Sequence, residues 1–187
     1  MKQLIILCGA SGTGKTTIQN YLQAKYQIPR VITHTTRKQR TGEVNGVDYY
    51  FETPSSFAKN HYFESVNYDG KKYGSSREAL DKAWEKHSIV SLVVDTEGAI
   101  EYVKQLKEQV TVLHIEVENS AVLKERLIER GDSTAAIEQR LASKESQRDL
   151  QIPASLQPYT TVVINGDWEQ TKTQIGKIIQ KIQLKIQ

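Results

Sequence analysis

Cysteine is almost absent from this 187-residue chain, Cys8 being the only one. A disulfide within the chain is therefore impossible, which fits a reducing, cytoplasmic compartment. Long apolar runs are missing too. The stretch Leu4 to Cys8 is too short for a signal-peptide core or a membrane span, and no later stretch reaches spanning length. The sequence is thus read as that of a soluble protein that does not engage a membrane. No long block of one charge sign occurs, and the net charge is only +3 with a pI near 8.8. That balance argues only weakly for a polyanionic partner, and small phosphorylated ligands suit it as well as nucleic acid. His34, His61, His87 and His114 show no metal-ligand spacing and read as structural or exposed. Internal repeats and low-complexity tracts are also lacking. At 38% hydrophobic and 25% charged residues, the chain has the composition of one globular domain, or of one core with a modest insertion.

What is present is an alternation of short branched apolar runs with amphipathic stretches. Leu4 to Leu7 reads as a buried strand, and a helix is expected from about Lys15 to Tyr26, with Ile18, Tyr21 and Leu22 on one face. Val31 to Thr33 reads as a second strand. From about 33 to 87 the rhythm lapses, which suggests an insertion with its own fold. It returns with strands at Ile89 to Val94, Val110 to Ile115 and Thr161 to Ile164. Helices are expected at Glu97 to Lys107, Ala121 to Arg130, Thr134 to Arg148 and Trp168 to Ile182. In the last of these, Ile175, Ile178, Ile179 and Ile182 form a core-facing stripe. The pattern predicts an α/β fold, with a mostly parallel sheet covered on both faces.

The segment Gly9-Ala10-Ser11-Gly12-Thr13-Gly14-Lys15-Thr16 fits GxxxxGK[ST] at every fixed position, between a predicted strand and a predicted helix. Glycines let backbone N–H groups turn inward around a phosphate, and the helix N-terminus adds positive charge. Gly9 to Thr16, with Thr17, are therefore the candidate ATP-binding residues. Lys15 should reach the β- and γ-phosphates, and the Thr16 hydroxyl should hold Mg²⁺.

The acceptor is suggested by the run from Thr33 to Tyr49: threonines, Arg37 and Arg40, then Gly42-Glu43-Val44-Asn45-Gly46, then Asp48-Tyr49. This run resembles the guanylate kinase family. The resemblance continues through Phe63-Glu64, Tyr73-Gly74-Ser75, Val94 to Gly98, Arg126 to Gly131 and Arg140-Leu141. It implies a P-loop kinase fold in a single domain over 1–187. The core would be 1–32 and 88–187, the GMP-binding insertion about 33–87 and a helical lid about 130–148. It also implies transfer of the γ-phosphate of ATP to GMP.

By the same resemblance, Arg37, Arg40, Tyr49 and Tyr73 would hold the GMP phosphate. Glu64 would accept hydrogen bonds from guanine, Thr33 and Ser75 would touch the base, and Asp95 would assist. Arg130 and Arg140 would approach the transferring group, completing a catalytic set with Lys15 and Arg37. Those chemistries are sound: guanidinium forks match phosphate oxygens, and a carboxylate matches paired N–H donors. Taken singly, each residue has a plainer role open to it, as a solvated arginine, a core tyrosine or a surface carboxylate.

The chain departs from the family at four places, one being the lid between Arg130 and Arg140, slightly shorter and less acidic than usual. Val93 stands where an acid is usual, two residues before Asp95, and Thr33 stands where serine is usual. The tract Gln147 to Tyr159 departs most, and no functional residue is carried onto it. Two rival readings stand beside GMP: a P-loop kinase for another small phosphorylated acceptor, and a non-catalytic interaction module. The joint presence of Glu64, Ser75 and Asp95 favours guanine, and the intact phosphate loop disfavours the module.

Overall fold

The first apolar run becomes strand β1 (Gln3–Cys8), buried along its whole length. The computed structural model describes residues 1–68, 70–129, 131 and 133–186. Side chains alternate along a strand, so β1 serves two cores. Leu4, Ile6 and Cys8 pack with Leu80, Trp84, Tyr102 and Val103. Ile5 and Leu7 pack with Ile18, Leu22, Ile175, Ile178, Ile179 and Ile182 on the other face. Each fully buried Leu or Ile contributes about 1.5–3 kcal/mol, which makes β1 the best-anchored element of the fold. Its neighbours are all parallel: β6 (Ile89–Val93), β7 (Val110–Glu116) and β8 (Thr160–Ile164), in the order β6-β1-β7-β8. One face is covered by α1 (Lys15–Tyr26) and α8 (Trp168–Ile186), the other by α3 (Arg77–Lys86) and α4 (Thr96–Leu106).

A second four-stranded sheet, ordered β3-β2-β5-β4, lies between β1 and β6 in the chain. It comprises β2 (His34–Thr35), β3 (Tyr50–Phe51), β4 (Tyr62–Tyr68) and β5 (Lys71–Ser76), with a short helix α2 (Pro54–Phe57). The β4–β5 hairpin was not legible from periodicity, because much of β4 and the start of β5 are exposed and polar. This sheet meets the core through Phe63, whose ring stacks on Tyr102 at 4.1 Å. His34 is buried inside it, with Nδ1 2.9 Å from Glu52 and Nε2 2.7 Å from the Ser76 hydroxyl, a structural histidine as expected.

Two expectations need correction. Val31 to Thr33 is not a strand. Only an isolated bridge joins Arg30 to Ser91, flanked by N–H bonds from Val31 to Ser91 and from Ser91 to Pro29, and the strand proper starts at His34. The helix expected over Thr134 to Arg148 is two helices, α6 (Thr134–Ala142) and α7 (Lys144–Arg148). Ser143 separates them: its backbone is extended, and its hydroxyl accepts the Ser146 N–H at 3.1 Å. Serine competes as a cap within a polar stretch where little burial holds one helix together. The preceding α5 (Ser120–Glu129) and the final strand and helix fall close to their expected positions.

Candidate active site

Three loop glycines, Gly9, Gly12 and Gly14, adopt positive φ. Gly9 is the most constrained, because a Cβ there would drive into the backbone carbonyl of Ile115 in β7. Gly9→Ala is expected to cost about 1–3 kcal/mol from backbone strain alone. A urea-unfolding midpoint equal to the parent's would contradict this loop geometry.

The rest of the loop is held from outside. The Thr13 carbonyl accepts from Asn165 Nδ2 at 2.7 Å and from Arg126 Nη1 at 3.4 Å, while Arg126 Nη2 reaches the Asn165 carbonyl at 2.8 Å. Gly14, the N-cap of α1, packs so closely on Asn165 that a Cβ would collide with its amide. The resemblance includes Arg126 in one of its runs but gives it no role, and Asn165 carries none from sequence. Their role depends on α5 and the end of β8 meeting over the loop.

Lys15 turns back on the loop, its Nζ donating to the Gly9 and Ala10 carbonyls at 2.6 and 2.7 Å. Burial lowers its pKa, with Asp149 acting in the opposite direction. Lys15 lines a cavity of about 400 Å³ with Gly9, Ser11, Val93, Asp95 and Asp149. Thr16 and Thr17 are exposed in the first turn of α1. Cys8 is buried behind the loop, and burial, followed by Asp149, pushes its thiol up to about 12. It is an inert core residue.

On the second sheet, Arg37, Tyr49 and Tyr73 converge. The Arg37 guanidinium lies 5.6 Å from the Tyr49 ring centre, and the two tyrosine rings are 6.3 Å apart. Arg37 is engaged by Glu43 through two bonds of 2.9 and 2.7 Å. The Arg37 hydrogen bond and the Arg40 backbone N–H hold the Glu43 carboxyl down to about 2. The Arg40 side chain is exposed beside them. Thr33 precedes β2, its carbonyl accepting the Tyr50 N–H at 2.8 Å.

Glu64 sits on β4 with its Oε1 2.7 Å from the Ser75 hydroxyl, and its Cγ lies close against Gly98 at the start of α4. Burial raises the Glu64 carboxyl above the ordinary range, the Ser75 bond opposes this, and the charge of Asp95 adds to it. Asp95 is the N-cap of α4, its Oδ1 accepting the Gly98 N–H at 2.7 Å. Glu64, Asp95, Glu97 and Gly98 line a cavity of about 450 Å³. The sequence-derived base readers Glu64, Ser75 and Asp95 are therefore neighbours, although they come from three separate segments.

Arg130 lies outside the described residues, and only the backbone of Arg140, in α6, is described. The departing tract after the lid carries two residues that the sequence did not flag. Arg148 reaches Asp95 Oδ2 and Glu97 Oε2, each at 2.7 Å. The neighbouring Asp149 is buried and accepts from the Thr96 hydroxyl and N–H at 2.6 and 3.1 Å.

The guanylate kinase family profile matches residues 1–182. The guanylate kinase of Helicobacter pylori is 35% identical, the match covering 96% of this chain and 87% of that protein. The guanylate kinase of Protochlamydia amoebophila is 36% identical over 94% of this chain and 89% of its own length. Among solved structures, a guanylate kinase from Anaplasma phagocytophilum superposes with a TM-score of 0.62 at 24% identity, covering 97% of this chain and 86% of that one. The last likeness bears on the fold alone.

Proposed function

The chain belongs to the guanylate kinase family and, as an ATP-dependent nucleoside monophosphate kinase, phosphorylates GMP; from that premise we propose how its own residues divide the work. The observation that carries the proposal is the pairing of a phosphate loop with a half-buried carboxylate bonded to a buried hydroxyl, Glu64 and Ser75, beside Asp95. Loop N–H groups and Lys15 take the ATP phosphates. Arg37, Arg40, Tyr49 and Tyr73 take the acceptor phosphate, while Glu64, Ser75 and Asp95 read guanine and Thr33 borders the base. Arg130 and Arg140 complete the charge around the transferring group.

The acceptor phosphate is already an anion, so no strong base is required, and catalysis is positioning plus charge neutralisation. Mg²⁺ fits this site as a partner of the nucleotide. The exposed Thr16 hydroxyl next to the loop can take one position, and phosphate oxygens and water suit the others. When bound, the ion neutralises charge on the phosphates. In this reading the parts are a core, an insertion at about 33–87 and a lid at about 130–148, and their closure would exclude water. No described helix is long and apolar enough to cross a membrane. With Cys8 as the only cysteine, a cytoplasmic enzyme handling free nucleotides is the consistent picture.

A coupled ADP-release assay with ATP and a panel of phosphorylated acceptors tests this. GMP should be the best substrate. Preferential turnover of a sugar phosphate, or failure to bind Mg·ATP as expected of an interaction module, would overturn it.

The phosphate contacts give a narrower expectation. Arg37→Ala or Arg40→Ala should weaken GMP binding by about 1.5–3 kcal/mol through loss of a charge-assisted bond, and leave ATP binding nearly unchanged. Arg37 must exchange Glu43 for phosphate, so Glu43→Gln should change GMP affinity while sparing ATP. Titration calorimetry with each nucleotide decides; equal weakening of both by the arginine variants would remove these residues from the acceptor site.

A further inference from the structure

Three nitrogens of one guanidinium meet three different carboxylates at the end of α7. Arg148 Nη2 is 2.7 Å from Asp95 Oδ2, Nη1 is 2.7 Å from Glu97 Oε2, and Nε is 3.2 Å from Asp149 Oδ1. The Arg148 side chain is only 27% exposed. Asp95 is consequently fixed at both oxygens, by Arg148 at one and by the Gly98 N–H at the other. Asp149 extends the same fastening to the first residue of α4 through Thr96. These contacts border a cavity of about 850 Å³ that includes Asn67, Asp95, Glu97, Ser143 and Arg148. The cavity containing Glu64 adjoins it, sharing Asp95 and Glu97.

We propose that Arg148 is a positioning residue for the acceptor base, holding Asp95 and Glu97 in place and joining the end of the lid to the wall that reads guanine. This rests on the GMP-kinase reading above. The wall is rich in negative charge. Glu64 on β4 faces Ser75 of β5, Asp95 and Glu97 at the start of α4, and Glu101, Tyr102 and Lys104 farther along it, with Arg77 of α3 near Tyr102. Lys104 is engaged by Glu101 at 2.6 Å. Among the described residues, Arg148 is thus the cation that touches Asp95 directly. Guanine offers donors, so it needs these carboxylates ionised and stationary. Without the guanidinium, Asp95 gains rotamer freedom and its charge bears more fully on Glu64, which then takes up a proton more readily. A protonated carboxyl meets a guanine N–H donor with a donor. Lysine offers a single compact charge and cannot span three separated acceptors.

The test is steady-state kinetics on the full chain and its Arg148→Gln and Arg148→Lys variants, with ATP and GMP varied separately across the acid and neutral range. In Arg148→Gln the KM for GMP should rise about tenfold, the size of one lost charge-assisted contact. The KM for ATP and kcat at saturation should stay within about twofold. The acid limb of kcat/KM for GMP should move to higher pH, because removing a cation makes the Glu64 carboxyl easier to protonate. Arg148→Lys should recover part of both effects. An unchanged KM for GMP overturns the proposal. So does a parallel rise for both nucleotides with an unmoved acid limb, which marks general loosening, or a fall in kcat alone, which marks a role at the transferring phosphoryl. If Arg148→Gln does not fold, judged by circular dichroism, Arg148→Lys carries the same comparison with a milder change: a raised KM for GMP with an unchanged KM for ATP supports the proposal, and unchanged values for both overturn it. Lack of GMP turnover in the parent protein would instead count against the GMP-kinase reading.

Discussion

Lys15→Ala is expected to lower kcat by about 10²–10³-fold, the effect of removing one preorganised charge from developing anionic oxygens, with the fold intact. The side chain stands at the junction of the phosphate loop and α1, and its bonds run to the loop's own carbonyls, Gly9 and Ala10. Gly9 lines an open cavity, so water can replace the ammonium there when the side chain is cut. The helix behind it is anchored by Ile18 and Leu22, not by Lys15. The charge is therefore needed where phosphate charge is rearranged and is dispensable for packing. Turnover of the variant beside its thermal midpoint separates these roles. Near-normal turnover would remove Lys15 from the phosphate site, and collapse of the midpoint would make it structural.

Glu64→Gln should abolish most activity toward GMP and narrow the preference for GMP over AMP. Guanine presents N1–H and an exocyclic amine side by side, and an ionised carboxylate offers two acceptors to match them. Adenine turns an unprotonated N1 to the same place. A buried charge so mispaired is costly, and sites of this kind discriminate by roughly 10⁴-fold. An amide can donate to adenine N1, so the ratio should fall by orders of magnitude while the fold is kept. The raised Glu64 carboxyl adds a pH signature. Burial is the main cause, with Asp95 contributing, so the base reader takes up a proton at a higher pH than an ordinary glutamate. Activity toward GMP should accordingly decline on the acid side before a solvated carboxylate would titrate, and Glu64→Gln should lack that limb. Measuring kcat/KM for both acceptors against pH decides it. An unchanged ratio would free Glu64 of the role.

The phosphate loop was legible because its geometry is local: strand, turn and helix follow one another within a few residues. The acceptor segment was legible by its likeness to a family, and in the structure Glu64 bonds Ser75 and shares a cavity with Asp95. Arg148 was not, since its partner Asp95 lies 53 residues away in a tract that departs from the family. Nor did the sequence show that Asp95 caps α4, because an aspartate before a helix and an aspartate in a binding site look alike in one dimension. The break at Ser143 and the hairpin after Tyr62 escaped for a related reason. Both lie in polar stretches, where hydrogen-bonded caps and strand pairing decide the outcome and apolar periodicity is silent.

The two-sided burial of β1 has a consequence for how the protein is made. Its hydrogen-bonded neighbours start at Ile89 and Val110, so a ribosome releases this sticky strand long before either partner exists. The face bearing Ile5 and Leu7 waits longest, because Val163 and the isoleucines of α8 that cover it follow every other element of the sheet in the chain. Pairing across such separations is slow and leaves an apolar edge open in the interval. Assembly of the core thus waits for α8, and the nascent chain needs shielding from its neighbours until that helix arrives.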